Sequence, residues 1–328
     1  MMKKRLAVIF TGGTISMKYD PAIGAAVPAL SGREILALAA GADEVAGVEV
    51  IEFGRFPGPH MTLPRMMMLA SEVRAALERR DVDGVVVTHG TDTLEETAYL
   101  LDLTTASDKP VAVVGALRNS SEMGWDGPPN LLSAMRVAAA DAARGLGVLV
   151  VMNDTILAAG EATKTHTEAF DSFQSPDFGP LGVVDRGEVI IRRAPRERLH
   201  LPAAEIIEPV FLIKLAAGCD STLIDAAVAA GARGLVIEAL GRGNVPLAAL
   251  PAIGRAVAGG LPVVLVSRCL RGRVFDSYGY EGGGKQLRGL GLIFGNFLSG
   301  QKARIKLMVG LGATSDQGEL RRMFEGES

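Results

Sequence analysis

Short runs of valine, isoleucine and leucine alternate along this chain with longer amphipathic or alanine-rich segments, and that alternation restricts the possible folds most. The apolar runs are Leu6–Phe10, Val48–Phe53, Gly84–Thr88, Val111–Gly115 and Val148–Met152. Between them lie helix candidates at Gly32–Ala40, Pro64–Arg80, Leu94–Thr104 and Asn130–Arg144. A strand of nearly continuous β-branched residues has two faces to bury, so these runs predict a parallel sheet covered by helices on both sides. The expected fold is α/β: a larger N-terminal, doubly wound, mostly parallel sheet domain plus a smaller C-terminal α/β domain. In such folds ligands sit beyond the carboxyl ends of the strands.

The pattern changes near residue 153. Ile156–Thr165 and Gly182–Arg193 read as extended or hairpin structure, and Arg192–Glu208 is charged and bears prolines, as interdomain linkers do. Alternation then resumes. Val210–Lys214, Gly234–Glu238 and Pro262–Ser267 are strand candidates, and Ser221–Ala230, Leu247–Ala258, Ala303–Gly310 and Glu319–Phe324 are helical. The chain is therefore divided into a catalytic domain at 1–191, a linker at 192–209 and a second domain at 210–328. A length of 328 residues suits two domains, and 48% hydrophobic against 22% charged residues supports a sizeable core.

A net charge of −3 without a basic block argues against a nucleic-acid partner. No stretch approaches the roughly 20 apolar residues of a membrane span. The start, Met1-Met2-Lys3-Lys4-Arg5, is basic and then apolar, but the run Leu6–Phe10 ends at Thr11-Gly12-Gly13. A signal peptide needs an apolar region of about 7–15 residues, so a buried first strand is expected instead. Cys219 and Cys269 stand far apart without a CxxC or Cys/His cluster, which fits reduced structural thiols rather than zinc ligands or a disulfide framework. A cytoplasmic protein without metal or cofactor is expected.

Two strand ends carry the chemistry. Val8-Ile9-Phe10 empties into Thr11-Gly12-Gly13-Thr14-Ile15-Ser16, where glycines let the backbone turn sharply and leave amides accessible to an anion or a carbonyl. A plain strand-to-helix turn would explain this segment equally well, and neither nucleotide-binding glycine pattern is present. The second run, Val85-Val86-Val87-Thr88, leads into His89-Gly90-Thr91-Asp92-Thr93-Leu94-Glu95-Glu96-Thr97. Asp92 or Thr93 is placed to cap the helix that follows. Five polar residues after a buried strand exceed what a cap requires, and two such ends in one sheet argue for a shared cleft.

The pair T-G-G-T-I-S and H-G-T-D-T-L resembles the two signature motifs of the bacterial-type L-asparaginase and glutaminase-asparaginase family. Further matching stretches are Gly115-Ala116-Leu117-Arg118, Asp126-Gly127-Pro128-Pro129-Asn130-Leu131, Val151-Met152-Asn153-Asp154, Ala162-Thr163-Lys164-Thr165, Gly243-Asn244-Val245-Pro246 and Ser267-Arg268. The resemblance spans nearly the whole chain. It implies an amidohydrolase acting on L-asparagine, with Thr14 as the nucleophile and Thr91, Asp92 and Lys164 as a second catalytic group. A threonine hydroxyl is a weak nucleophile near neutral pH and needs a base or relay, which a lysine in a desolvated cleft can supply. Backbone at Gly13, Gly58, Gly90 and Ala116, and the Asn244 side chain, are the implied substrate contacts. His89 follows a buried strand and is given a structural role. Homotetramers or homodimers are implied as well.

Three departures bear on substrate. The family's lid tyrosine, which orients the nucleophile, falls near Ala25 here; Tyr19, the only tyrosine of the segment Met17–Val27, is taken as its catalytic replacement, with a solvent-facing lid residue as the alternative. Gly58, followed by Pro59, stands where the family has a serine for the substrate's α-carboxylate, so a hydroxyl donor worth about 1.5–3 kcal/mol is missing. The acidic residue that a neighbouring subunit lends to the substrate amine has no clear match, although Asp276 and Glu281 are nearby in sequence. Glutamine or another small amide is the alternative substrate, and an inactive amino-acid-binding module is the alternative class. A tRNA-amidotransferase subunit is disfavoured because T-G-G-T begins at Thr11, with no preceding domain.

Overall fold

Valine-rich runs form the heart of the molecule in the computed structural model, which describes residues 3–203 and 205–326. Met1 and Met2 of the basic start, Ala204 of the expected linker, and Glu327 and Ser328 lie outside the described residues. The chain divides into two compact units, Met1–His200 and Leu201–Ser328.

The first unit opens with β1 (Arg5–Gly12), a hairpin of β2 (Met17–Asp20) and β3 (Ala25–Pro28), then α1 (Gly32–Leu38) and α2 (Ala42–Val45). Next come β4 (Gly47–Phe56), α3 (Leu63–Glu78), β5 (Gly84–Thr88), α4 (Leu94–Thr104), β6 (Val111–Val114) and α5 (Gly127–Ala139). It finishes with β7 (Val148–Met152), β8 (Thr155–Ala158), β9 (Thr163–Lys164), β10 (Phe173–Gln174), β11 (Gly182–Asp185) and β12 (Glu188–Ile191). Eight of these strands make one sheet in the order β12-β11-β8-β7-β6-β5-β1-β4. Strands β4, β1, β5, β6 and β7 run parallel, and the last three join antiparallel. The expected doubly wound sheet is present.

Every residue of β5, β6 and β7 is buried, as unbroken apolar strands require. Full burial of each valine contributes about 1.5–3 kcal/mol relative to exposure. The β7–β8 turn is made by Asn153 and Asp154, both in the left-handed region with φ of 49° and 56°, a conformation that Asn and Asp tolerate in two-residue hairpins. A capping box between Ser31 and Glu34 starts α1.

Strand order sets the site. From β1 the chain moves to β4 on one side and then to β5 on the other. The loops leaving β1 and β5 therefore flank the point where the winding reverses, which is where open α/β sheets bind ligands.

Some expectations shift. The segment after Thr14, expected as a loop, is a β-hairpin: Tyr19 pairs with Ala26, and Gly24 turns the chain at a φ of 72°. The helix expected at Asn130–Arg144 begins earlier and ends sooner, at Gly127–Ala139. Prolines 128 and 129 fit its first turn because no amide hydrogen is needed there. Beyond its end Asp141 starts a separate 3-10 turn and pairs with Lys4 at 3.0 Å. Within the stretch expected as linker, Arg193 bonds Glu161 and the carbonyls of Gly179 and Pro180, and Arg198 donates to the Gly145 carbonyl at 2.6 Å.

The second unit contains β13 (Val210–Lys214), α6 (Thr222–Ala229), β14 (Gly234–Ala239), α7 (Leu250–Ala258), β15 (Val263–Ser267), α8 (Gly284–Leu290), β16 (Ile293–Phe294), α9 (Gly300–Ala313) and α10 (Gln317–Glu325). Its four strands form a parallel sheet in sequence order. Ile213, Ile237, Ile253, Leu265 and Phe294 meet in its core. The short elements α8 and β16 are additions to the expected pattern, because the glycine-rich run 282–295 offers little hydrophobic period.

Candidate active site

Glycine decides how the two signature loops meet. Gly12 and Gly13 have φ of 107° and 82°, values that side chains disfavour. A Cβ built on Gly13 would lie 2.4 Å from both the Cα and the amide nitrogen of Gly90, inside van der Waals contact. One built on Gly90 would lie 2.6 Å from Gly58 Cα. Three of the expected contact glycines thus stack backbone to backbone, and at Gly13 and Gly90 only glycine permits that approach. Thr14 and Thr91 are the next residues along two of these touching segments.

Below the glycines a threonine pair clips the strands together. Thr11 Oγ1 donates to the Thr88 carbonyl at 2.7 Å, and Thr88 Oγ1 accepts from the Thr11 amide at 3.3 Å. Both are buried. Thr14 starts a 3-10 turn that Ser16 closes by donating from Oγ to the Gly13 carbonyl at 2.8 Å.

Beyond β5, Lys164 Nζ donates to Thr91 Oγ1 at 2.9 Å and reaches Asp92 Oδ1 at 3.1 Å. The lysine side chain is 15% exposed and the aspartate 58%, so the ion pair has one dry end and one wet end. Its Coulomb attraction is therefore partly screened, and its value lies in holding the amine against the hydroxyl. Thr93 occupies the cap position of α4 without capping it; its hydroxyl donates instead to the Gly58 carbonyl at 2.8 Å. Asp92 turns to the lysine. Neither residue makes the expected cap bond, because each has a partner in a neighbouring loop.

His89 is fully buried. Its Nδ1 lies 2.9 Å from the Gly90 carbonyl and its Nε2 lies 2.9 Å from Thr97 Oγ1. A carbonyl can only accept, so Nδ1 carries the proton and Nε2 accepts from the threonine. Burial pushes the imidazole pKa from 6.5 down to about 4, and the bond to the Gly90 carbonyl opposes this only in part. The ring is neutral at physiological pH.

The loop bearing Ala116 packs against this cluster, with a Cβ on Gly115 falling 3.0 Å from Thr91 Cγ2. Asp126 fixes the loop by accepting from the Leu117 amide at 3.0 Å and the Arg118 amide at 2.9 Å. Asn130 joins by donating to Asp126 at 2.9 Å and the Gly115 carbonyl at 3.2 Å. Gly58 accepts a hypothetical Cβ more easily than its neighbours, at 3.2 Å from Asp92 Cβ.

Tyr19 is half exposed, and its amide donates to Ser121 Oγ at 3.0 Å. Opposite residues in an antiparallel pair share a face, so Tyr19 shares one with Ala26 and not with Ala25. Asn244 belongs to the second unit, where its backbone bridges to Leu240. Among the described residues no group of three His, Cys, Asp or Glu could hold a metal ion. None of the helices described is long and apolar enough to cross a membrane.

Sequence reasoning assigned no part to Glu95, Thr11 or Asp126. Helix α4 is buried on most of its faces. A carboxylate in such a helix demands polar partners, and that demand was the legible signal for Glu95.

The fold is a doubly wound α/β sheet, and this cluster lies on two strand-end loops at its topological switch point. Residues 5–197 match the asparaginase N-terminal model and residues 209–324 the glutaminase/asparaginase C-terminal domain, and the chain belongs to the asparaginase family. It is 38% identical over 330 residues to a probable L-asparaginase of Deinococcus radiodurans, covering 98% of this chain and 97% of the relative. It is 33% identical over 308 residues to an L-asparaginase of Bacillus licheniformis, covering 94% and 95%. The crystal structure of a probable cytoplasmic L-asparaginase from Campylobacter jejuni superposes with a TM-score of 0.88 at 31% identity, covering 98% and 99%. The chain is an asparaginase-type amidohydrolase, as its motifs implied.

Proposed function

We propose that the chain hydrolyses L-asparagine to L-aspartate and ammonia with Thr14 as nucleophile. The observation that carries this reading is the Lys164 amine held 2.9 Å from the Thr91 hydroxyl, on a loop in backbone contact with that of Thr14. The Thr14 hydroxyl oxygen attacks the amide carbonyl carbon, and its proton passes to the Thr91–Lys164–Asp92 group. The carbon–nitrogen bond then breaks, and the departing nitrogen takes a proton to leave as ammonia. Water attacks the resulting ester, releasing aspartate and restoring the threonine. Amides near Thr91 and Ala116 receive the developing oxyanion, a contribution of about 2.7–4 kcal/mol for each donor.

Backbone at Gly13, Gly58 and Gly90 lines the pocket in this reading. Tyr19 closes over it by movement of the β2–β3 hairpin. Asn244 completes the site in an assembled homotetramer or homodimer, and the protein works in the cytoplasm. Gly58 in place of a hydroxyl residue favours a second substrate reading, glutamine or another small amide, because the grip on an α-carboxylate is weaker.

Ammonia release from a panel of amides tests the reading, using purified protein and the Thr14→Ala, Thr91→Val and Lys164→Met variants. Each substitution should lower turnover of the best substrate at least 100-fold. Release that survives both threonine changes removes the proposed nucleophile. Light scattering in solution measures the assembly, and cell fractionation the location.

A further inference from the structure

Glu95 lies in the first turn of α4, 5% exposed, with a carboxylate that the reaction above leaves unused. Its Oε1 accepts from Thr163 Oγ1 at 3.1 Å and from the Lys164 backbone amide at 3.3 Å. These two donors are the whole of strand β9. Among the described residues that strand pairs only with β10, through Phe173 opposite Lys164 and Gln174 opposite Thr163, in a two-stranded ribbon outside the main sheet. Two such short strands hold each other weakly, so the position of β9 depends on what grips it from outside.

Glu95 follows Thr91, Asp92 and Thr93 on one continuous turn and helix. The same rigid piece of backbone therefore carries the hydroxyl and, through a carboxylate, the backbone that carries the amine. We propose that Glu95 is a positioning residue: it sets β9 against α4 so that Lys164 Nζ meets Thr91 Oγ1. Lysine has a flexible four-carbon stem, and fixing its amine needs an anchored backbone at the other end. Neither bond to Glu95 is short, at 3.1 and 3.3 Å, but together they tie both residues of β9 to one helix. The inference rests on the proposed part of Lys164 in the reaction.

The test is a double-mutant cycle in kcat and KM for asparagine hydrolysis, with thermal melts alongside. Glu95→Ala should lower kcat about 100-fold with KM within about threefold, the size of effect that displacing a reacting group by about 1 Å produces. Glu95→Gln should recover most of that loss, since its amide oxygen accepts the same two bonds. On a Lys164→Met background, Glu95→Ala should change the residual kcat less than about threefold. An equal fall on both backgrounds, or a lowered melting temperature with kcat intact, overturns the positioning role. Should Glu95→Ala fail to fold, Glu95→Asp, which withdraws the carboxylate by one methylene, carries the same comparison. Full turnover by Lys164→Met alone would instead remove the relay, and the positioning role with it.

Discussion

His89 links the acid stability of the fold to the loop that carries Thr91. Its folded pKa of about 4 lies below the 6.5 of an unperturbed histidine, so the unfolded chain takes up a proton first as the pH falls. The stability that goes with the neutral ring is complete above about pH 6.5 and drains away toward pH 4. A tenfold difference in proton affinity between the folded and unfolded chain is worth about 1.4 kcal/mol, so the full loss is about 3 kcal/mol, of which about 2 kcal/mol falls between pH 7 and pH 5. Urea unfolding of the wild type and of His89→Gln at these two pH values isolates the contribution. Glutamine offers one donor and one acceptor in place of the ring nitrogens, and it does not titrate. Glu34, Glu49, Asp81 and Asp141 have pKa values lowered by hydrogen bonds from Ser31, Arg79, Arg79 and Lys4, and they are common to both proteins. They cancel in the difference. The wild type should lose about 2 kcal/mol more than the variant over this interval. Equal losses would refute the buried neutral imidazole.

Gly13→Ala should destabilise the fold by about 3 kcal/mol or more, measured by denaturant midpoint, because its Cβ would overlap Gly90 and its φ is positive. Gly58→Ser would place its Cβ 3.2 Å from Asp92 Cβ and 3.3 Å from the Asp92 amide nitrogen, contacts that a shift of a few tenths of an ångström relieves, and it should lower KM for a substrate with an α-carboxylate about tenfold. A KM that is unchanged or raised would show that no carboxylate comes near residue 58. Asp126→Ala leaves the Leu117 and Arg118 amides without their acceptor and should cost about 2 kcal/mol in melting experiments, with kcat falling beyond what the stability loss explains.

Strands and family were legible in the chain itself. Gly84–Thr88 and Val148–Met152 appear with the expected bounds, because an unbroken apolar run of that length has few other ways to bury both faces. The two signature motifs carried the resemblance to the family, although a plain strand-to-helix turn would account for Thr11–Ser16 by itself. Local pattern could not supply partners that come from far along the chain. Glu95 and Lys164 are 69 residues apart and Thr11 and Thr88 are 77 apart, and only folding brings each pair within hydrogen-bond reach. The hairpin at 17–28, the early start of α5 and the diversion of Thr93 from capping to Gly58 have the same origin. Composition and period govern which segments bury apolar area. The choice among several available hydrogen-bond partners is settled only by which backbones the packed sheet brings together.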